Sequence, residues 1–96
     1  MVLSNDERAL LELVAQAGRP VWMSEYFPVL NPAEPGMDEN HPGHEAWTER
    51  QMAWYRVSIS LWKRGLVRVV APADGSRGDL VEPTGEGCAA LTAADA

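Results

Sequence analysis

Ninety-six residues with a net charge of −6 make one domain's worth of chain, with little room for a second domain or a deep substrate cleft. An apolar fraction of 46%, with four tryptophans, suits a packed interior and excludes a disordered chain. No apolar run reaches the roughly 20 residues of a membrane span, the acidic start Met1 to Glu7 lacks the basic region of a signal peptide, and the single Cys88 forms no internal disulfide, so the expected setting is cytoplasmic, away from membranes.

Ser4 and Glu7 have the spacing of a capping box and predict a helix starting there. Leu10, Leu13, Val14 and Ala17 continue it as an apolar stripe, and Gly18 is placed to end it. Arg19 and Pro20 break the chain before Val21 and Trp22, a short extended piece. Ser24 is expected to cap a brief second helix through Glu25, Tyr26 and Phe27, with Pro28 tolerated in its first turns. Residues 31–46 hold Pro32, Pro35 and Pro42, two glycines, the acids Glu34, Asp38, Glu39 and Glu45, and almost nothing apolar except Met37. This acidic stretch is expected to be a loop inserted between the second and third helices.

Thr48 and Gln51 make a second capping-box spacing, with Trp47 positioned to staple onto Met52, so the third helix is predicted to begin at Thr48 and to stop at Gly65. At about 100° per residue, Trp54, Val57, Ser58 and Leu61 share one face, and Glu49, Arg56, Ser60 and Lys63 share the opposite one. Leu66 to Val70 reads as a strand, Ala71 to Asp79 as a hairpin loop, and Leu80 to Glu82 as the return strand ended by Pro83. Thr84 is placed to cap a last helix through Cys88 and Leu91 to Ala94. Trp54 and Trp62, on or beside the apolar face, are expected in the core, and Cys88, set among alanines, is expected to be buried and inert.

Charge is unevenly spread. Between residues 50 and 77, six basic residues, Arg50, Arg56, Lys63, Arg64, Arg68 and Arg77, face the single acid Asp74, so that segment carries +5 and the rest of the chain −11. A local field of this sign is what steers a polyanion, whatever the total.

Leu61-Trp62-Lys63-Arg64-Gly65-Leu66-Val67, then a hairpin bearing Asp74 and Arg77, then Thr84-Gly85-Glu86-Gly87 with Leu91 four residues on, resembles the MarR-type winged helix-turn-helix regulators. The likeness is strongest over residues 48–91. Pro83 stands where that family carries leucine, the link between the second and third helices is longer, and the family's long dimerisation helices have no counterpart. The resemblance implies an α+β winged helix-turn-helix, a three-helix core with a β-hairpin wing and a short C-terminal helix, occupying 1–96 as a single domain. It further implies a bacterial or phage regulator or accessory protein that binds double-stranded DNA. The expected contacts are Arg50, Gln51, Arg56, Ser60, Lys63, Arg64 and Arg77, with the third helix in the major groove and the wing on the backbone or minor groove. A partner subunit or other protein is an open possibility.

Other readings stay beside this one. Arg77 is also placed to pair with Asp74 or Asp79 across the turn, and the −11 outside the basic segment suits a winged helix that docks on protein and binds no DNA. Asp38, Glu39, His41, His44 and Glu45 include metal-ligating types, but without nearby cysteine the default is a solvated acidic loop, and no cofactor is expected. No nucleophile, base and acid set and no phosphate-binding glycine loop is recognisable, so the chain is not expected to be an enzyme. With so few apolar anchors, residues 31–46 are expected to be the first segment cut by a nonspecific protease, and initial cleavage elsewhere would mean that this stretch is packed.

Overall fold

A computed structural model describes residues 2–93. The architecture is α+β, with helices α1 (Asn5–Gln16), α2 (Phe27–Leu30), α3 (His44–Lys63) and α4 (Gly85–Ala93), and strands β1 (Val21–Trp22), β2 (Val67–Ala71) and β3 (Leu80–Pro83). A 3-10 turn, Met23–Tyr26, joins β1 to α2. The strands form one antiparallel sheet in the order β1-β3-β2. Thus β1, between the first two helices in sequence, pairs with the return strand of the hairpin, Val21 opposite Val81 and Trp22 opposite Leu80. The open edge on the other side is β2.

α1 starts as its capping box requires. The Glu7 amide donates to the Ser4 hydroxyl at 3.0 Å and the Ser4 amide donates to the Glu7 carboxylate at 2.9 Å. The buried seam is Leu10, Leu11 and Val14, with Glu7 one turn earlier, so Leu11 replaces Leu13 in the expected stripe. These side chains pack with Val21, Phe27, Trp54, Leu61, Leu66, Val67, Val81 and Ala90 in one core beneath α1, α3, the sheet and α4. No helix among the described residues is long and apolar enough to cross a membrane.

Several boundaries differ from expectation. The segment after β1 enters its 3-10 turn without help from Ser24, because Trp22 is the residue that precedes the turn and no side chain caps it. α3 begins one turn early, at His44, and Thr48 caps nothing. Tertiary bonds hold the added turn. The Trp47 indole donates to the Asn31 carbonyl at 3.0 Å, and the Asn31 amide returns bonds to the Trp47 carbonyl and the Gln51 side chain, each at 3.1 Å. Trp47 therefore meets Asn31, and Met52, its expected staple partner, is exposed. Trp62 and Cys88 are exposed as well. Each lies one residue past a buried one, Leu61 and Gly87, and that step turns a helical side chain about 100° away from the core.

Gly65, at a φ of 74°, ends α3 in the left-handed conformation that glycine tolerates. The next element is clasped to this joint. The Thr84 hydroxyl donates to the Gly65 carbonyl at 2.6 Å and accepts the Gly87 amide at 3.0 Å, while the Thr84 amide donates to the Leu66 carbonyl at 3.0 Å. Ala94, where the last helix was expected to end, lies outside the described residues. Gly87 lies so close to the Leu66 carbonyl that an added β-carbon would overlap its oxygen. Gly87→Ala is expected to cost about 1–3 kcal/mol through overpacking, although alanine is the better helix former, and thermal melting should show a fall of roughly 4–8 °C per kcal/mol. An unchanged melting temperature would refute the close approach.

Candidate functional site

The exposed side of α3 is the surface on which chemistry gathers. Twenty residues at about 1.5 Å each make it roughly 30 Å long, longer than any other element here. Its sequence places three kinds of side chain around the axis, and the structure gives each a different neighbour.

The first kind faces α1. Arg64 donates to the Glu7 carboxylate at 2.5 Å and Ser60 donates to it at 3.0 Å, while Arg64 also reaches the Val2 carbonyl at 2.8 Å. Nearly four turns before Arg64, Arg50 lies 3.6 Å from Asp6 and over the Trp54 ring, 5.4 Å from its centroid. Ser60, assigned by projection to the polar strip with Arg56 and Lys63, thus turns inward to a buried carboxylate. Gln51 is held by Asn31. Four of the seven candidate contacts, Arg50, Gln51, Ser60 and Arg64, are engaged within the fold.

The second kind points outward. Arg56 and Lys63 are exposed and have no ion-pair partner among the described residues. They stand two turns apart on one strip. Arg68, in β2, is paired across the strands with Glu82. Acids from α1 and β3 therefore pair with Arg50, Arg64 and Arg68 of the linear segment, and the cations left without an acid among the described residues are Arg56 and Lys63 on α3 and Arg77 in the hairpin.

The third kind faces the hairpin. Tyr55, Ile59 and Trp62 of α3 line a groove of about 270 Å³ together with Val69 and Asp79 of the hairpin and Met23 of the turn after β1. Beyond it the hairpin tip is organised by Asp74, whose carboxylate accepts the Ser76 hydroxyl at 2.7 Å and the amides of Ser76 and Arg77 at 3.0 and 3.1 Å. These donors hold the Asp74 carboxyl below its ordinary value, the Ser76 hydroxyl being the largest influence. The Arg77 guanidinium, as distinct from its backbone amide, pairs with neither Asp74 nor Asp79. It lies over the Trp22 ring, 4.3 Å from the centroid, a cation–π contact that draws the tip back over β1.

The acidic stretch is folded into turns. His41 meets the Glu34 carboxylate at 3.0 Å and accepts the Gly43 amide at 2.9 Å, and Asp38 accepts the Asn40 amide at 2.9 Å. Among the described residues no three His, Cys, Asp or Glu side chains are grouped closely enough to hold a metal ion.

Glu7 is the titratable group on which this geometry leans. Burial alone would raise its carboxyl, but the Ser4 amide, Arg64 and Ser60 together outweigh that and hold it below its ordinary value of 4.5. A carboxyl lowered on folding contributes stability that is present above its unfolded value and is lost as pH falls through the folded one. Acid unfolding should therefore steepen below about pH 4.5 in the native chain. Glu7→Gln should flatten that limb and cost about 1–3 kcal/mol near neutrality, since Arg64 loses its charged partner. Denaturant titrations at a series of pH values test both effects, and an unchanged pH slope in the variant would exclude Glu7 as their source.

No protein-family model matches the chain, and no curated protein or solved structure matches it significantly.

Proposed function

We propose that this chain is a winged helix-turn-helix module that binds double-stranded DNA, with α3 in the major groove and the β2–β3 hairpin as a wing on the flanking backbone. The observation that carries the reading is the joining of β1 to β3, which seats the hairpin beside α3, together with the placement of Arg56 and Lys63. These are the cations of α3 that no acid of the described residues neutralises, and they stand on its solvent face. An α-helix with an outward guanidinium and ammonium two turns apart suits a groove, the first for a base edge and the second for phosphate.

Arg77 supplies the wing contact in this reading. It already stacks on an aromatic face, so reaching phosphate exchanges one electrostatic partner for another. The engaged residues Arg50, Ser60 and Arg64 act through position, keeping α3 at a fixed angle to α1. With so few free cations, useful affinity calls for two modules on one site, because a single small module buries limited surface on DNA. The protein is read as a regulator or accessory factor without catalytic activity.

Fluorescence anisotropy with a random duplex at two salt concentrations tests the proposal. Binding should weaken with salt, and the Arg56→Ala/Lys63→Ala double variant should lose about 0.9 from the log–log salt slope for each phosphate contact removed. Arg77→Ala should weaken binding by about 1 kcal/mol or more, as expected for a lost charge-assisted contact. Binding by the double variant equal to that of the native chain would remove α3 from the interface.

A further inference from the structure

The cations of α3 border an apolar groove that duplex DNA does not explain. Tyr55 and Trp62 are more than half exposed, at 55% and 53%, and Val69 is 36% exposed, yet all three line the same depression with Ile59 and Met23. The core is complete without them. A soluble chain rarely leaves large apolar side chains gathered in one concavity unless something covers them. At about 270 Å³ the groove falls just below the roughly 300–1,000 Å³ of small-molecule sites, which makes it the size for one or two bulky side chains from a partner.

Charge specifies the partner. Arg56 and Lys63 do not line the groove but lie one helical step of about 100° past Tyr55 and Trp62, on the neighbouring exposed strip of α3, and they are unneutralised among the described residues, whereas Arg50, Arg64 and Arg68 each have an acid. The hairpin side carries the acid Asp79, held to its own hairpin by the Ala73 amide at 2.7 Å, so the carboxylates of a bound segment must lie on the helix side of the groove. Glu49 lies two turns before Arg56, toward the other end of α3. A second copy of this chain fits poorly, because a two-fold pairing of the groove would set Arg56 and Lys63 of each copy against those of the other, and a head-to-tail pairing would build a ring or a filament rather than a dimer.

We infer that the groove between α3 and the β2–β3 hairpin is a docking site for an acidic segment of another protein. A bulky apolar side chain of that segment enters between Trp62, Tyr55 and Val69, and its carboxylates lie toward Arg56 and Lys63. The inference stands without the DNA-binding reading. One corollary rests on that reading: the segment and a duplex would compete for α3, which makes such a partner a regulator of DNA binding.

The test is a nuclear magnetic resonance titration of the whole isotope-labelled chain with a short amphipathic peptide of Phe, Leu, Glu and Asp, and with a counterpart carrying Lys in place of each acid. The acidic peptide should give saturable shifts centred on Tyr55, Ile59, Trp62 and Val69, and the Lys peptide should bind at least about tenfold more weakly, as rim charges reject a like-charged partner. Trp62→Ala should weaken the acidic peptide by about tenfold or more, as loss of a central aromatic anchor does. Lys63→Glu, at an exposed position, should act in the same direction, and a native-like spectrum verifies that each variant is folded. Absence of saturable binding, equal binding of both peptides, shifts centred elsewhere, or dilution-dependent shifts of these residues without peptide would overturn the inference. A duplex titration in the absence of peptide reports separately on DNA binding. If the native chain binds peptide but no duplex, the docking site stands and the DNA reading falls. If duplex binds and saturating peptide does not displace it, the shared use of α3 is overturned.

Discussion

Everything on the functional side of this chain is held by the joint where α3 gives way to β2. Three consecutive residues do separate work there. Arg64 reaches back to the buried Glu7, fixing the end of α3 on the start of α1. Gly65 takes the backbone conformation that turns the chain, and its carbonyl receives the Thr84 hydroxyl. Leu66 is fully buried, and its carbonyl receives the Thr84 amide while Gly87 packs against it. The base of the hairpin therefore has one position relative to α3, set by close contacts on both sides. In a chain of this size, with a single small core, such polar bonds between elements matter because apolar burial alone leaves a narrow margin.

The same joint redistributes charge. A basic segment beside an acidic remainder suggests two surfaces of opposite sign, but folding brings Asp6 and Glu7 of α1 against Arg50 and Arg64, and Glu82 of β3 against Arg68. Most of the contrast is spent inside the molecule. What survives on α3 is a narrow strip, Arg56 and Lys63, next to an aromatic groove. In the DNA-binding and docking proposals alike, recognition would depend more on where these two cations stand than on bulk potential, which is screened within about 8 Å at physiological salt.

Local signals were legible in the sequence where local bonds decide the structure. The Ser4–Glu7 box, the glycine stop at residue 65 and the Thr84 cap all act within a few residues of themselves, and the hairpin pairs two strands joined by a single loop. The Thr48–Gln51 spacing looked equally good and was overridden, since Asn31, sixteen residues before Trp47, supplied bonds that extend the helix by a turn. The face of α3 was legible at Trp54, Ser58 and Leu61, but the destination of its polar residues was not. Ser60 and Arg64 are drawn to a carboxylate more than fifty residues away, which periodicity cannot report. Arg77 met Trp22 for a related reason, since only the pairing of β1 with β3 brings them together. The aromatic groove was missed because Trp62 was assigned to the core by its neighbours on the helix, one residue out of register.

The open edge of β2 has a consequence for how this chain behaves when crowded. Arg68, Val69, Val70 and Ala71 are all exposed, and the charge of Arg68, the natural guard against strand-to-strand growth, is already taken by Glu82. Protection falls instead to backbone shape. An irregularity between Val69 and Ala71 bends the strand, and Pro72 offers no amide to an incoming one. The straight, pairable run is left shorter than the six or so residues from which fibrils are built. Protection of this edge against strand addition thus rests on interrupted length rather than repulsion, a kind of protection that salt does not screen.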